Sequence, residues 1–195
     1  MATFIRLSSI LALCFTLAGC GINNIPRFDE EVTAAWSNVE NQYKRRADLV
    51  PNLVNVVKGY AEHEREVLNE LVEARAKVGS VNLDANTLSN PAAFKAFQEA
   101  QDQLGSALSR LLVTVERYPD LKANQNFLTL QSQLEGAENR IAVARKDYIT
   151  AVKLYNSELR TFPGRIWHSI LYSELEPKEA FTAPASVQEV PNVEF

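Results

Sequence analysis

Residues 127–162 read FLTLQSQLEGAENRIAVARKDYITAVKLYNSELRTF, and two rows of side chains run through them in step. Phe127, Leu134, Ile141, Tyr148, Tyr155 and Phe162 form one row; Leu130, Ala137, Ala144 and Ala151 form the other. A strict heptad of this kind keeps one seam on one face of a helix and calls for left-handed supercoiling against neighbours. At 1.5 Å per residue, a helix from about Leu121 to Phe162 would be on the order of 60 Å long, so the spacing predicts an elongated molecule. Pro163-Gly164 ends the pattern.

Upstream, Asn90-Pro91 is a helix start, a cap residue followed by proline in the first turn. The apolar row behind it is Phe94, Phe97, Leu104, Leu108, Leu111, Val115 and Tyr118, ended by Pro119. From Phe28 to Val78 the apolar positions step by three and four, from Val32, Trp36, Val39 and Tyr43 to Leu68, Leu71 and Ala74, which is amphipathic helix. Pro51 interrupts that stretch: it lacks an amide hydrogen and its ring clashes with the carbonyl of Ala47, so the helix either kinks or breaks there. Asp48 could cap a new helix with Pro51 in its first turn, and Gly79 offers a stop before a loop over 80–90. No segment alternates apolar and polar residues as strands do. The fold class is therefore all-α: an elongated, up-and-down antiparallel bundle of three or four long helices with coiled-coil-like packing. A short helix is expected over 165–172, and Pro177, Pro184 and Pro191 punctuate an aperiodic tail.

The N-terminus carries an address. Arg6 is followed by the apolar run Ile10 to Leu17 and then Leu17-Ala18-Gly19-Cys20, the pattern of a bacterial lipobox. Only 13 residues separate Arg6 from Cys20, whereas a spanning helix needs about 20 mostly apolar ones. Cleavage before Cys20 would leave a lipidated cysteine, and two or more acyl chains hold a protein stably on a bilayer. Gly21 follows the cysteine, so in a host with two membranes the expected place is the periplasmic face of the outer membrane. The expected organisation is a signal peptide over 1–19, a lipidated N-terminus and tether over 20–27, the bundle over 28–172 and a flexible tail over 173–195.

Composition narrows the function classes. The chain has 195 residues and a net charge of −4, and removal of residues 1–19 takes away Arg6 and no acid. A mildly acidic surface lacks the basic field that nucleic-acid binding requires. The two cysteines are Cys14, within the leader, and Cys20, so no disulfide is expected in the processed chain.

Several stretches resemble the LemA family. They include Asn24-Ile25-Pro26-Arg27-Phe28-Asp29-Glu30, Trp36-Ser37-Asn38-Val39, Asn41 through Val54, Lys58-Gly59-Tyr60-Ala61, Glu73-Ala74-Arg75-Ala76, Arg117-Tyr118-Pro119-Asp120-Leu121, Glu138-Asn139-Arg140-Ile141, Tyr155-Asn156 and Phe162-Pro163. The likeness covers nearly the whole chain after the leader. It implies a helical bundle attached to a membrane at its N-terminus, and it brings no biochemical activity with it. Two departures stand out: a lipobox replaces the membrane helix of many relatives, and Ile149 follows Tyr148 where the family usually has asparagine.

Candidate chemistry is sparse. Glu62-His63-Glu64-Arg65-Glu66-Val67 imitates a zinc-protease helix but has Val67 where the second ligand must fall. His168, beside Trp167, reads as a packing or surface residue. There is no G-x-S-x-G, S-x-x-K or phosphate-cradling glycine loop. No catalytic residue, metal site or cofactor is expected, and the aromatic rows containing Trp36, Phe127 and Tyr148 read as core. The one concentration of positive charge is Lys44-Arg45-Arg46, next to the Asp48-to-Pro51 irregularity. It is either a solvated helix turn with Asp48 as local ion-pair partner or a docking point, whose residues would be Arg45, Arg46, Asp48, Pro51 and Asn52. The expected function is that of a membrane-tethered, non-catalytic envelope scaffold that binds another envelope protein. The alternatives are an enzyme with an unrecognised site and a self-assembling, membrane-shaping protein.

Overall fold

A computed structural model describes residues 21–61, 63–81 and 87–182; the expected signal peptide, Cys20 and the last residues of the expected tail lie outside them. Its helices are α1 (Asn24–Lys58), α2 (Arg65–Ser80), α3 (Pro91–Val115), a single turn α4 (Pro119–Lys122), α5 (Gln125–Glu158) and α6 (Gly164–Leu171), with a 3₁₀ turn at Thr87–Ser89 before α3. Among the described residues there is no strand, and the fold is all-α.

Cross-helix contacts give the direction of each helix. Along α1 and α5 they pair Asn24 with Glu158, Arg46 with Glu138, and, just beyond the helix ends, Tyr60 with Asn124. One partner climbs as the other descends, so the two long helices are antiparallel and in register. Along α2 and α3, Lys77 meets Gln103, Glu70 meets Arg110, and Glu64 meets Arg117, again antiparallel. Trp36 packs on Phe94 and Phe97 while Arg46 reaches Gln101, so α1 and α3 run the same way. The result is an up-down-up-down bundle of four helices.

Sequence signals set most boundaries. The Asn90 side chain accepts from the amides of Ala92 and Ala93, capping α3 as its Asn-Pro start predicts. Asn124 caps α5 in the same way, through the amides of Asn126 and Phe127. This cap, rather than Leu121, fixes where the longest heptad helix begins.

Pro51 neither breaks nor ends its helix: α1 passes through it as far as Lys58. Proline cannot donate to the carbonyl of Ala47. The Arg75 guanidinium of α2 does so instead, its Nε lying 3.2 Å from the Ala47 oxygen. The break between the first two helices falls later, where Gly59, Tyr60 and Ala61 turn the chain. His63 belongs to that turn and is exposed, and Glu64 accepts from Tyr118 Oη at 2.8 Å, so this stretch is a junction and not a helix face.

The core has two parts. At the turn end it is mostly aliphatic, with Val50, Leu53, Leu71, Leu104, Leu111 and Leu134 around the single buried ring of Phe127. At the other end it is aromatic: Trp36 has Phe94, Phe97, Tyr148 and Phe181 around it, with ring centroids 5.0–6.2 Å away. Trp36, Phe127 and Tyr148 are buried, as their spacing predicts. The heptad row fails at its last member, because α5 ends at Glu158 and Phe162 is 83% exposed.

Two expected boundaries move. Residues 24–27 are the first turn of α1, with Ile25 fully buried, and not part of a tether. The segment 173–182, expected to be flexible, makes a turn after α6 and then forms a strap clipped along α5. Tyr155 Oη donates to the Glu176 carbonyl, Tyr148 Oη to the Glu179 carbonyl at 2.7 Å, and Asn156 makes paired hydrogen bonds with the backbone of Lys178. Phe181 then plugs into the aromatic core, 6% exposed, with the Arg145 guanidinium 4.4 Å from its ring centroid. Proline at 177 reads as disorder in sequence, yet a strap held by side chains, outside any helix or ladder, tolerates it.

Burial raises the pKa values of the Tyr148 and Tyr155 hydroxyls above the usual tyrosine value, with nearby Glu179 and Asp29 adding to the effect. The folded state therefore binds these protons more tightly than the unfolded chain. Their contribution to stability is complete below the ordinary tyrosine pKa of about 10 and falls as pH rises above it. We expect thermal stability to decline above about pH 10, and the Tyr148→Phe, Tyr155→Phe double variant to show a shallower decline from a lower plateau. An equal slope in the variant would remove these hydroxyls from the account.

Candidate functional site

The basic run on α1 is split by the helix. Lys44 and Arg45 face solvent, whereas Arg46 is only 4% exposed and points into the bundle. Tyr43, Arg46, Val50, Leu53 and Val57 follow the three-and-four spacing of the buried stripe, which carries Arg46 inward whatever its charge. Its Nη1 donates to Glu138 Oε1 of α5, and its Nη2 to both the backbone and the side-chain oxygen of Gln101 in α3, each at 2.9 Å. One arginine thus joins three helices. Its Cζ lies 5.1 Å from the Tyr43 ring centroid, and its Nε is buried without a hydrogen-bond partner. The ion-pair partner is Glu138, not the Asp48 suggested by the sequence, and Arg46 is unavailable to dock anything.

The remaining docking residues do share a surface. Lys44, Arg45 and Asp48 of α1 and Arg140 of α5 line one shallow depression of ≈ 460 Å³. Arg140 joins because the antiparallel register brings the middle of α5 beside the middle of α1. Pro51 and Asn52 are exposed nearby on α1 but do not line this depression. Three cations and one acid from two rigid helices make a compact, positively charged site on an acidic chain.

A wider groove of ≈ 1120 Å³ opens between α3 and α5 over the Arg46 network, lined by Gln101, Gly105, Leu108, Leu112, Leu134 and Glu138 among others. Its two serines are occupied: Ser106 Oγ donates to the Asp102 carbonyl and Ser109 Oγ to that of Gly105. His168 Nε2 lies 2.9 Å from the Leu175 carbonyl, where it packs the strap. Among the described residues no group of three His, Cys, Asp or Glu side chains is placed to hold a metal ion, and no helix is long and apolar enough to cross a membrane.

Comparison with known proteins gives the bundle a family. A model of the LemA family matches residues 35–195. The chain belongs to the LemA family. Among its curated relatives, Magnetosome protein MamQ 2 of Paramagnetospirillum magneticum is 27% identical over 175 residues, covering 82% of this chain and 64% of the relative. Protein LemA of Metamycoplasma hominis is 26% identical over 140 residues, covering 72% of this chain and 60% of the relative. Magnetosome protein MamQ of Magnetospirillum gryphiswaldense is 26% identical over 153 residues, covering 69% and 55%. This LemA-family chain therefore spans less than two thirds of the length of the relatives it matches. The match from residue 35 onward takes in α1 from Ala35, both halves of the core, the strap and the basic depression.

Sequence reasoning placed Arg45 and Asp48 on the surface site and missed Arg140, Glu138 and Gln101. Glu138 and Arg140 stand inside a quoted family stretch, but only the register of α1 against α5 shows that they meet the basic run.

Proposed function

We propose that this LemA-family chain is a membrane-tethered, non-catalytic interaction module that docks an acidic segment of an envelope protein on the Lys44, Arg45 and Arg140 depression. The observation that carries this reading is the gathering of three exposed cations from two helices around a single acid. Cations carried on helices whose backbones are already ordered need no backbone ordering on binding and steer an oppositely charged partner. The lipobox ending in Cys20 supports a tether on the exported side of a membrane. Binding is favoured over turnover because the groove hydroxyls are committed to backbone carbonyls and the Arg46 charge to Glu138.

Arg45→Glu with Arg140→Glu tests the reading. Both side chains are exposed, and exposed charges contribute only about 0 to 1 kcal/mol to stability, so the helical circular dichroism spectrum and melting point should hold. Photo-crosslinking in cells from Lys44 should capture an envelope partner, and the double reversal should reduce that adduct at least tenfold. Undiminished crosslinking would reject the depression as the docking surface. Adducts only between copies of this chain would favour self-assembly.

A further inference from the structure

At the end of the bundle where α1 begins, α6 carries apolar side chains on both of its sides, Trp167 packing on the core and others facing away from it. Its inward side is Gly164, Trp167 and His168, which are buried or half-buried. Its outward side carries Ile166 and Ile170, 45% and 66% exposed, and Phe162 stands four residues ahead of Ile166 at 83%. Leu171 adds a further side chain at 47%. A helix of a water-soluble bundle turns its apolar stripe to the core. Here a second apolar row, 162-166-170, is turned away from it.

The orientation is fixed by the turn that precedes it. A Cβ on Gly164 would stand 2.2 Å from the Glu158 carbonyl oxygen, so only glycine allows this approach of α6 to the end of α5. The row also has a definite neighbour. A Cβ on Gly21 would lie 3.4 Å from Pro163 Cγ, and Asn24 donates to Glu158. Gly21 directly follows Cys20 and the apolar run Ile10 to Leu17, so whatever holds that segment in a bilayer brings the row to the same place.

We propose that Phe162, Ile166, Ile170 and Leu171 form a membrane-surface foot, resting in the lipid interface beside the N-terminal anchor. A partner protein is the poorer occupant, because a standard protein interface takes about 800 Å² from each side, and three side chains on a two-turn helix with one in the turn before it fall well short of that. An interfacial helix has no such minimum, since the anchor already holds it at the surface. Arg160 and Arg165, both exposed, flank the row and suit anionic headgroups. The foot rests on the tether reading above, and its test keeps the two apart.

The full chain, with either Phe162→Trp or Val143→Trp, is reconstituted in phosphatidylcholine–phosphatidylglycerol vesicles with and without bromine on the acyl chains. Val143 is 59% exposed on α5, away from this end, and serves as the reference. Flotation first reports whether the chain is membrane-bound. The foot predicts that brominated lipid quenches the added emission of Phe162→Trp at least twofold more than that of Val143→Trp. Adding Ile166→Asp and Ile170→Asp should abolish the difference while flotation persists. A floating chain with equal quenching at both positions overturns the foot and leaves the tether standing; a chain that does not float overturns both.

Discussion

Glu138→Ala lowers the stability of the bundle by about 3 kcal/mol, more than Arg46→Met does, although Arg46 is the buried member of the pair. Removing one partner of a buried ion pair is costly, about 3 to 5 kcal/mol, when it strands a charge out of water. The two ends of this pair are unequal: the Arg46 side chain is 5% exposed and that of Glu138 49%. Loss of Glu138 strands the guanidinium, whose Nε already lacks a partner, whereas loss of Arg46 lets Glu138 turn to water. Replacing Arg46 with a methionine of similar length also keeps the space among Tyr43, Gln101 and Gly105 filled. Urea unfolding of both variants checks the order, and a larger loss for Arg46→Met would mean that its bonds to Gln101, rather than charge compensation, dominate. Arg45→Ala, one residue away but exposed, should lie within about 1 kcal/mol of the parent.

Phe181→Ala releases the strap without melting the bundle. Removing a buried phenylalanine costs about 3 to 5 kcal/mol, and here that loss falls on a segment held chiefly by side-chain hydrogen bonds and one ring. The Lys178 amide donates to Asn156 Oδ1 at 2.9 Å and the Glu179 amide to the Leu88 carbonyl at 2.7 Å, so both report strap opening. Their hydrogen exchange should speed up about a hundredfold, the equivalent of roughly 3 kcal/mol at 1.4 kcal/mol per decade. Amides in the middle of α5 should keep their protection. Equal acceleration at Ile141 and Ala144 would show instead that the strap is inseparable from the core.

Helices, caps and core were legible because the cause of each is local. A seven-residue apolar period, Asn90 before Pro91 and the stop at Pro119 act within a few turns of chain. The misreadings share another cause, a partner distant in sequence. Pro51 reads as a kink or a break, and only the structure shows Arg75, from the next helix, on the Ala47 carbonyl. Arg46 reads as a surface charge until Glu138 and Gln101 close around it. The strap reads as a loose tail because its hydrogen bonds come from tyrosines and an asparagine on α5, which alone look like core and surface. For the candidate site the same rule holds: Arg45 and Asp48 are visible in one stretch, and Arg140 enters only through helix register.

An unbroken α1 also sets a stand-off height. Arg45 is 21 residues beyond Asn24 along one continuous helix, which at 1.5 Å per residue places it on the order of 30 Å from the start of that helix. The turn at Gly59 stands about 50 Å away by the same measure. Had Pro51 folded the chain back, the far end would have been lowered by two helical turns, about 11 Å. If the proposed foot rests on a bilayer and α1 stands along its normal, the molecule is a post of fixed length, and the acidic segment of a partner would have to extend about 30 Å from the membrane surface to meet the basic depression.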